Sequence, residues 1–300
     1  MHYFLAKEAH IFKFSARETP VLRISSGDRL NFETLDCFSN QIQNPGDRLE
    51  DVSFDRVNPA TGPVYVEGAR KGDALKVSIE QIRIGDQAVM LTGKDFGVLG
   101  HMMGELYFKI LPIENGTVVF DGQTRLPVKP MVGVIGVAPE EGEISCGTPG
   151  AHGGNMDTTL IREKADVYLP VSVEGGLLAL GDLHALMGDG EVAVSGAEVA
   201  GEVMVKVTLI KDLYLPTPLV INDRVLAVIF SHEKLDDAVT GAVEIMDDLL
   251  ESRIGLPTPE NVMLLSLAGQ VRICQVVDPL KTVRCEIPLE VLNNYGFKLY

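Results

Sequence analysis

The 300-residue sequence has no tryptophan, only four cysteines and few basic side chains. Lys and Arg total 26 against 42 Asp and Glu, which leaves a formal charge of −16 with the six histidines neutral. Such a surface repels phosphate, so a nucleic-acid or anionic-membrane partner is not expected. Cys37, Cys146, Cys274 and Cys285 lie far apart and form no Cys-x-x-Cys pair. That excludes a disulfide framework or zinc knuckle and fits reduced thiols. No apolar run approaches the ~18 residues a membrane-spanning helix needs. Met131–Ala138 and Gly175–Gly181 are the longest such stretches, and they end at Pro139 and Asp182. The first 17 residues mix His2, Lys7, Glu8 and His10 with single apolar residues, unlike a secretory leader. A soluble cytoplasmic protein is the expectation. Neither the Gly-x-Gly-x-x-Gly phosphate loop nor the Gly-x-Ser-x-Gly elbow of serine hydrolases occurs.

Apolar residues, by contrast, make up 46% of the chain, enough for a core of one large domain or two ordinary ones. Thirty glycines and 16 prolines punctuate it with turns. Between them run short segments that alternate apolar and polar residues: Leu75–Ile84, Thr117–Phe120, Met131–Val137, Val167–Val173 and Val203–Ile210. Period-two alternation predicts half-buried strands. After Ser231 the period changes. Leu235, Ala238, Ala242, Met246 and Leu250 recur at helical spacing, Asp236 and Asp237 suit the first turn, and Gly255 stops the run. Thr258-Pro259-Glu260 reads as a cap followed by proline, opening a second helix to about Ala268. Val283–Ile287 returns to strand. The reading is a mainly β (α+β) fold, an antiparallel sandwich with a C-terminal helical pair. Units of residues 1–140 and 141–300 are expected, or one compact domain.

Gly181-Asp182-Leu-His184-Ala-Leu-Met-Gly-Asp189-Gly-Glu191 packs three carboxylates and one imidazole into eleven residues. On a strand Asp182 and His184 share a face, and this donor pair suits a divalent metal, zinc first. The glycines permit turns that return Asp189 and Glu191 toward the pair. The competing reading is a polar hairpin with an Asp-Gly turn. His152-Gly-Gly-Asn155-Met-Asp157 adds a second His, an amide and a hard oxygen ligand. Asp36, between Leu35 and Phe38, needs a partner if buried: a metal, an Arg or a capped turn. Glu67 ends an apolar strand, where it is either a general base or a solvated strand end. Cys146, near His152, is a candidate nucleophile although nothing beside it stabilises a thiolate. His101 reads as a loop residue; His2, His10 and His232 read as surface or capping groups.

Several motifs together resemble the acetamidase/formamidase family. They are Asn58-Pro-Ala-Thr-Gly-Pro-Val-Tyr-Val-Glu-Gly68, Gly154-Asn-Met-Asp157, the Gly181–Glu191 run, and Arg272-Ile-Cys-Gln-Val-Val-Asp-Pro279 followed by Val283-Arg-Cys-Glu-Ile-Pro288. They fall in the expected order over roughly positions 30 to 290. The resemblance implies a CUB-like β-sandwich, usually a homodimer, that hydrolyses formamide or acetamide to a carboxylate and ammonia. It implies a divalent metal, zinc or calcium, with Asp36, Asp157, Asp182 and His184 as ligand candidates. Glu191 and Glu67 become the acid/base candidates. A bound metal would polarise the amide carbonyl and acidify water, with Glu191 moving protons, Asn155 or the glycine backbone steadying the oxyanion and His152 orienting substrate. Two other classes stay open: a thiol amidase using Cys146, and a non-catalytic metal-stabilised β module that binds a small ligand.

Overall fold

A computed structural model describes residues 1–300. The chain is mostly strand, with three short to medium helices near its end. Two sheets carry it, one of nine strands and one of eleven. Each alternating segment read from the sequence is a strand: Ala74–Ile84, Thr117–Val119, Met131–Gly136, Asp166–Pro170 and Gly201–Ile210. In Ala74–Ile84 and Gly201–Ile210 buried and half-exposed residues alternate over most of their length, as the period requires.

The main core lies between the two sheets. Leu30, Phe32, Val77, Val203 and Val205 point into it from the nine-stranded sheet, and Val64, Val132, Ile135, Leu180 and Leu183 from the other. The far face of the nine-stranded sheet is covered by the helix Leu235–Ile254. Its Ala238, Ala242, Met246 and Leu250, four residues apart, are fully buried against Leu226, Val228, Val283 and Cys285. Burial of Met246 or Leu250 contributes roughly 1.5–3 kcal/mol each. Gly255 ends this helix in the left-handed region, at φ 75°. The second helix spans Thr258–Ala268, and the residue before it, Pro257, takes the capping position expected of Thr258. A third, Leu289–Asn293, was not legible as a pattern because five residues show too few turns to reveal a period.

A boundary near residue 140 does not divide this architecture. In the nine-stranded sheet Arg29–Thr34 and Ala74–Ile84 both pair with Gly201–Ile210. In the other, Ala60–Val66 and Met131–Gly136 flank Leu178–His184. Strands from the two halves alternate in both sheets, so neither half closes a sheet alone. No helix is long and apolar enough to cross a membrane.

Candidate functional site

Leu178–His184 is central in the eleven-stranded sheet and buried along its whole length. It runs antiparallel to Met131–Gly136, Ala60–Val66 and the two-residue strand Glu198–Val199. His184 and Glu198 are register partners, so their side chains leave the sheet on one face. His184 Nε2 lies 3.2 Å from Glu198 Oε2, 3.6 Å from Asp182 Oδ2 and 3.7 Å from Asp157 Oδ1. Asp157 arrives from the turn just after the short strand Gly153–Asn155. Glu191 arrives from the loop beyond His184; Asp157, His184 and Glu191 present ligand atoms within 4.8 Å of one another. Cys37, Asp182 and Glu198 form a second group of the same compactness.

Gly133 makes this convergence feasible. A Cβ there would stand 2.5 Å from both Asp157 Oδ1 and Asp182 Oδ2. The bare backbone of the neighbouring strand is the floor on which the two carboxyls meet. Asp157, Asp182 and Glu191 all have positive φ, at 43°, 55° and 42°. Such conformations cost of order 1–3 kcal/mol each for residues with side chains, and they gather where function outweighs local comfort.

The electrostatics are those of an uncompensated acidic nest. Asp157, Asp182, Glu191 and Glu198 are buried; Asp157, Asp182 and Glu198 pair only with His184, and Glu191 pairs with no cation. Burial raises Asp157 to about 7, with the Asp182 charge adding to it. Burial and Asp157 push Glu191 well above the usual carboxylate range. Glu198 is also raised, by burial first. Burial opposes the charge on His184, yet the Glu198 and Asp182 carboxylates overcome it and hold the imidazole well above its ordinary value. Burial likewise acts against the Asp182 charge, but His184 beside it keeps that carboxyl below its ordinary value. Six buried atoms of these residues have no hydrogen-bond partner: Asp157 Oδ1, Asp182 Oδ1, His184 Nδ1 and Nε2, Glu191 Oε2 and Glu198 Oε2. Native interiors rarely tolerate that many, so they call for an additional cationic partner.

The nest opens into a cavity of about 390 Å³. Its lining includes Asp182, Glu191, Glu198, Asn155 and Asp278 together with Phe38, Phe54, Val57, Leu91, Phe96 and Val194. Asn155 Nδ2 donates to Asp278 Oδ2 at 3.0 Å. Burial, with the charges of Asp157 and Asp182, raises Asp278 well above its ordinary value.

Of the residues singled out in the sequence, Asp157, Asp182, His184 and Glu191 come together, and Asn155 lies at the cavity wall. Four others do not join them. Asp36 is buried, but its Oδ1 accepts from the Asn40 backbone N–H at 2.7 Å and its Oδ2 from Gln43 Nε2 at 3.4 Å. Asn40 Oδ1 in turn accepts from the Asp36 N–H. Asp36 therefore closes a turn, the third of the partners open to it. Its carboxyl is raised to about 6, by burial first. Glu67 is exposed and pairs with Arg23 at 3.3 Å, so the strand-end reading holds and the acid/base role does not. His152 is buried edge-on against Phe14, ring centres 5.2 Å apart, and does not line the cavity. Burial lowers it to about 4, which leaves a neutral ring. Asp189 turns away to a bidentate pair with Arg284, at 2.8 and 2.7 Å.

Cys146 is not a nucleophile in this arrangement. It is fully buried and its Sγ donates to the Ile11 carbonyl at 3.6 Å. Burial pushes the thiol up, away from the thiolate. His101 is exposed, and His10 and His232 sit beside Lys7 O and Asp237 as local contacts.

Glu198 and Asp278 were missed as site residues. Glu198 lies in Ser195-Gly-Ala-Glu198, a two-residue strand too short to show alternation. Asp278 falls inside the quoted Val-Val-Asp-Pro motif, so a signal for it was present. Cys37 is a third such residue: it follows Asp36 in the chain and reaches Asp182 and Glu198.

With this geometry in view, comparison with known proteins is specific. The Acetamidase/Formamidase family profile matches residues 15–145 and 141–294. A predicted acetamidase/formamidase from Thermoanaerobacter tengcongensis is 55% identical, with 99% of each chain covered and a TM-score of 0.98. The acetamidase of Bacillus halodurans is 46% identical, with 98% of this chain and 99% of that one covered and a TM-score of 0.95. A formamidase of Methylophilus methylotrophus is 25% identical over 253 residues, 64% of this chain and 62% of that protein. The match thus spans just under two thirds of the curated relatives' length. The chain belongs to the acetamidase/formamidase family.

Proposed function

We propose that this chain hydrolyses the C–N bond of short amides, releasing a carboxylate and ammonia, and that it does so with a divalent metal. Family membership supports the reaction class. The observation that carries the metal is the set of six unpartnered buried atoms on His184 and the carboxyls around it. Carboxylate oxygens and one imidazole nitrogen are the donor set of zinc or, with more oxygens, calcium. Asp157, Asp182, His184 and Glu198 fit the role, with the Cys37 thiol adjacent and Glu191 left for proton transfer; zinc is the first choice. When bound, such an ion polarises a carbonyl oxygen and eases deprotonation of water.

The chain's own groups supply the remainder. Glu191, raised by burial and open to the cavity, takes a proton from the attacking water and returns it to the departing nitrogen. The Asn155–Asp278 pair fixes the Asn155 amide at the wall, where it orients the substrate. The apolar side of the cavity excludes bulk water and strengthens each of these interactions. A cytoplasmic homodimer belongs to the same reading. Val262, Met263 and Leu267 of the second helix are exposed apolar residues that a second copy would cover.

The test is ammonia release from formamide, acetamide and propionamide by purified protein, with metal content measured alongside. Release that disappears on chelation and returns with zinc supports the proposal. Bound metal without ammonia from any amide supports instead a metal-stabilised ligand-binding module. Release that withstands complete metal removal overturns the metal-dependent reading.

A further inference from the structure

Three of the four thiols lie where unreactive thiols usually do. Cys146 and Cys285 sit in apolar clusters and Cys274 lies against Arg284, each at most 1% exposed. Cys37 is placed differently. The turn that Asp36 closes with Asn40 carries it to the cavity wall. There its Sγ and one carboxyl oxygen each of Asp182 and Glu198 lie within 4.8 Å of one another.

A thiol has a single proton, and Cys37 donates it to Asn58 Oδ1 at 3.5 Å. The sulfur therefore faces the two carboxyls with lone pairs alone. Asp182 and Glu198 are 2% and 1% exposed, and Asp182 Oδ1 and Glu198 Oε2 have no hydrogen-bond partner. Electron-rich groups turned on one another in a buried place repel, and a cation among them converts that repulsion to attraction. The same two carboxyls border His184, whose Nε2 is 3.2 Å from Glu198 Oε2 and 3.6 Å from Asp182 Oδ2. Calcium and magnesium take oxygen donors, whereas thiolate beside imidazole and carboxylate is a zinc-type set.

We propose that Cys37 is a thiolate ligand of the metal site and that its sulfur selects zinc over calcium. This rests on the metal-dependent reading above and extends it by one ligand. Ligation releases the thiol proton to solvent.

The experiment loads the purified protein with cobalt(II) in place of zinc. A thiolate ligand gives cobalt an intense charge-transfer band in the near ultraviolet that oxygen and imidazole donors lack. The expected result is that band in the unaltered protein and its absence from cobalt-loaded Cys37→Ser. X-ray absorption at the zinc edge of the unaltered protein should find sulfur at about 2.3 Å. Cys37→Ser should weaken zinc binding by more than the roughly 10–100-fold that loss of an outer partner costs. A large excess of calcium should leave zinc in place in the unaltered protein; displacement overturns the selectivity. Bound cobalt without the band, or only oxygen and nitrogen around zinc, overturns the proposal, while ammonia release reports separately on amide hydrolysis. A band that persists in Cys37→Ser also overturns it. Should that variant not fold, Cys146→Ala, Cys274→Ala and Cys285→Ala assign the band by elimination. Kept in all three, it belongs to Cys37; lost from one that still binds cobalt, it does not. A protein that takes up no metal overturns the metal-dependent reading and this proposal with it.

Discussion

His184 Nε2 lies 3.2 Å from Glu198 Oε2, across the sheet register that pairs these two residues. This contact sets one wall of the acidic nest, and Gly196 keeps it open. A Cβ on Gly196 would meet His184 Nδ1 at 2.6 Å, and the Gly196 N–H donates to Glu198 Oε1 at 2.8 Å. One Glu198 oxygen is thereby held by backbone, and the other is aimed at the imidazole.

Glu198→Gln keeps the shape and removes the charge. The expected result is a loss of metal affinity of about 10–100-fold, read by titration with a competing chelator, and a parallel loss of turnover. Wild-type affinity in this variant would remove Glu198 from the ligand set.

Gly133→Ala tests the floor of the site. The added carbon would sit 2.5 Å from two carboxyl oxygens, so the carboxyls or the strand must move. Overpacking of this kind costs about 1–3 kcal/mol, measurable by denaturant unfolding, and bound metal should fall well below one ion per chain. Gly104→Ala, at a position with open space around it, is the control. Full metal content in Gly133→Ala would mean that the carboxyls have more room than their placement allows.

Arg284 joins Asp189 to Glu286 within the sheet, its own side chain only 3% exposed. Arg284→Met leaves Asp189 and Glu286 with only the half-exposed Arg272, at 3.9 and 3.6 Å. The expected cost is roughly 3 kcal/mol, a midpoint shift visible in urea unfolding. Arg23→Met, at the exposed pair with Glu67, should cost under about 1 kcal/mol. Equal effects at the two positions would contradict the difference in burial on which this rests.

Asp73 gives a pH dependence with a definite sign. Burial works against its charge, but Lys211 Nζ at 2.6 Å and the N–H groups of Asp212 and Arg70 hold it below the ordinary carboxylate value. A carboxyl with a depressed folded pKa stabilises fully above its unfolded value, about 3.9. That stability is lost as pH falls through the folded value. Asp73→Asn should therefore lower stability at pH 7, and the gap to wild type should shrink steadily below about pH 4. A gap independent of pH would show that shape, not charge, is what Asp73 provides.

Glu67→Gln should leave amide turnover within twofold of wild type, because its carboxylate is spent on Arg23 at the surface. A loss of a hundredfold would return Glu67 to the acid/base role.

Periodicity and punctuation determined much of this protein without reference to its fold. Alternation gave the strands, four-residue spacing gave the helix that buries Ala238, Ala242, Met246 and Leu250, and Gly255 marked its end. These are local properties, set by side-chain directions along a short stretch of backbone. The pairing of Asp182 with His184 was legible for the same reason, since side chains two apart on a strand share a face. What tertiary structure alone decided was which polar residues share space. Asp36 and Asp189 carry the same carboxylate as Asp157. One is held by Asn40 and the other by Arg284, a partner 95 positions away. Glu198 enters the nest only because the register sets it opposite His184, and Glu67 leaves the story because its strand ends at the surface beside Arg23. Sequence spacing carries no information about contacts between strands far apart in the chain; sheet order and register settle them, and both follow from burial of the whole core at once.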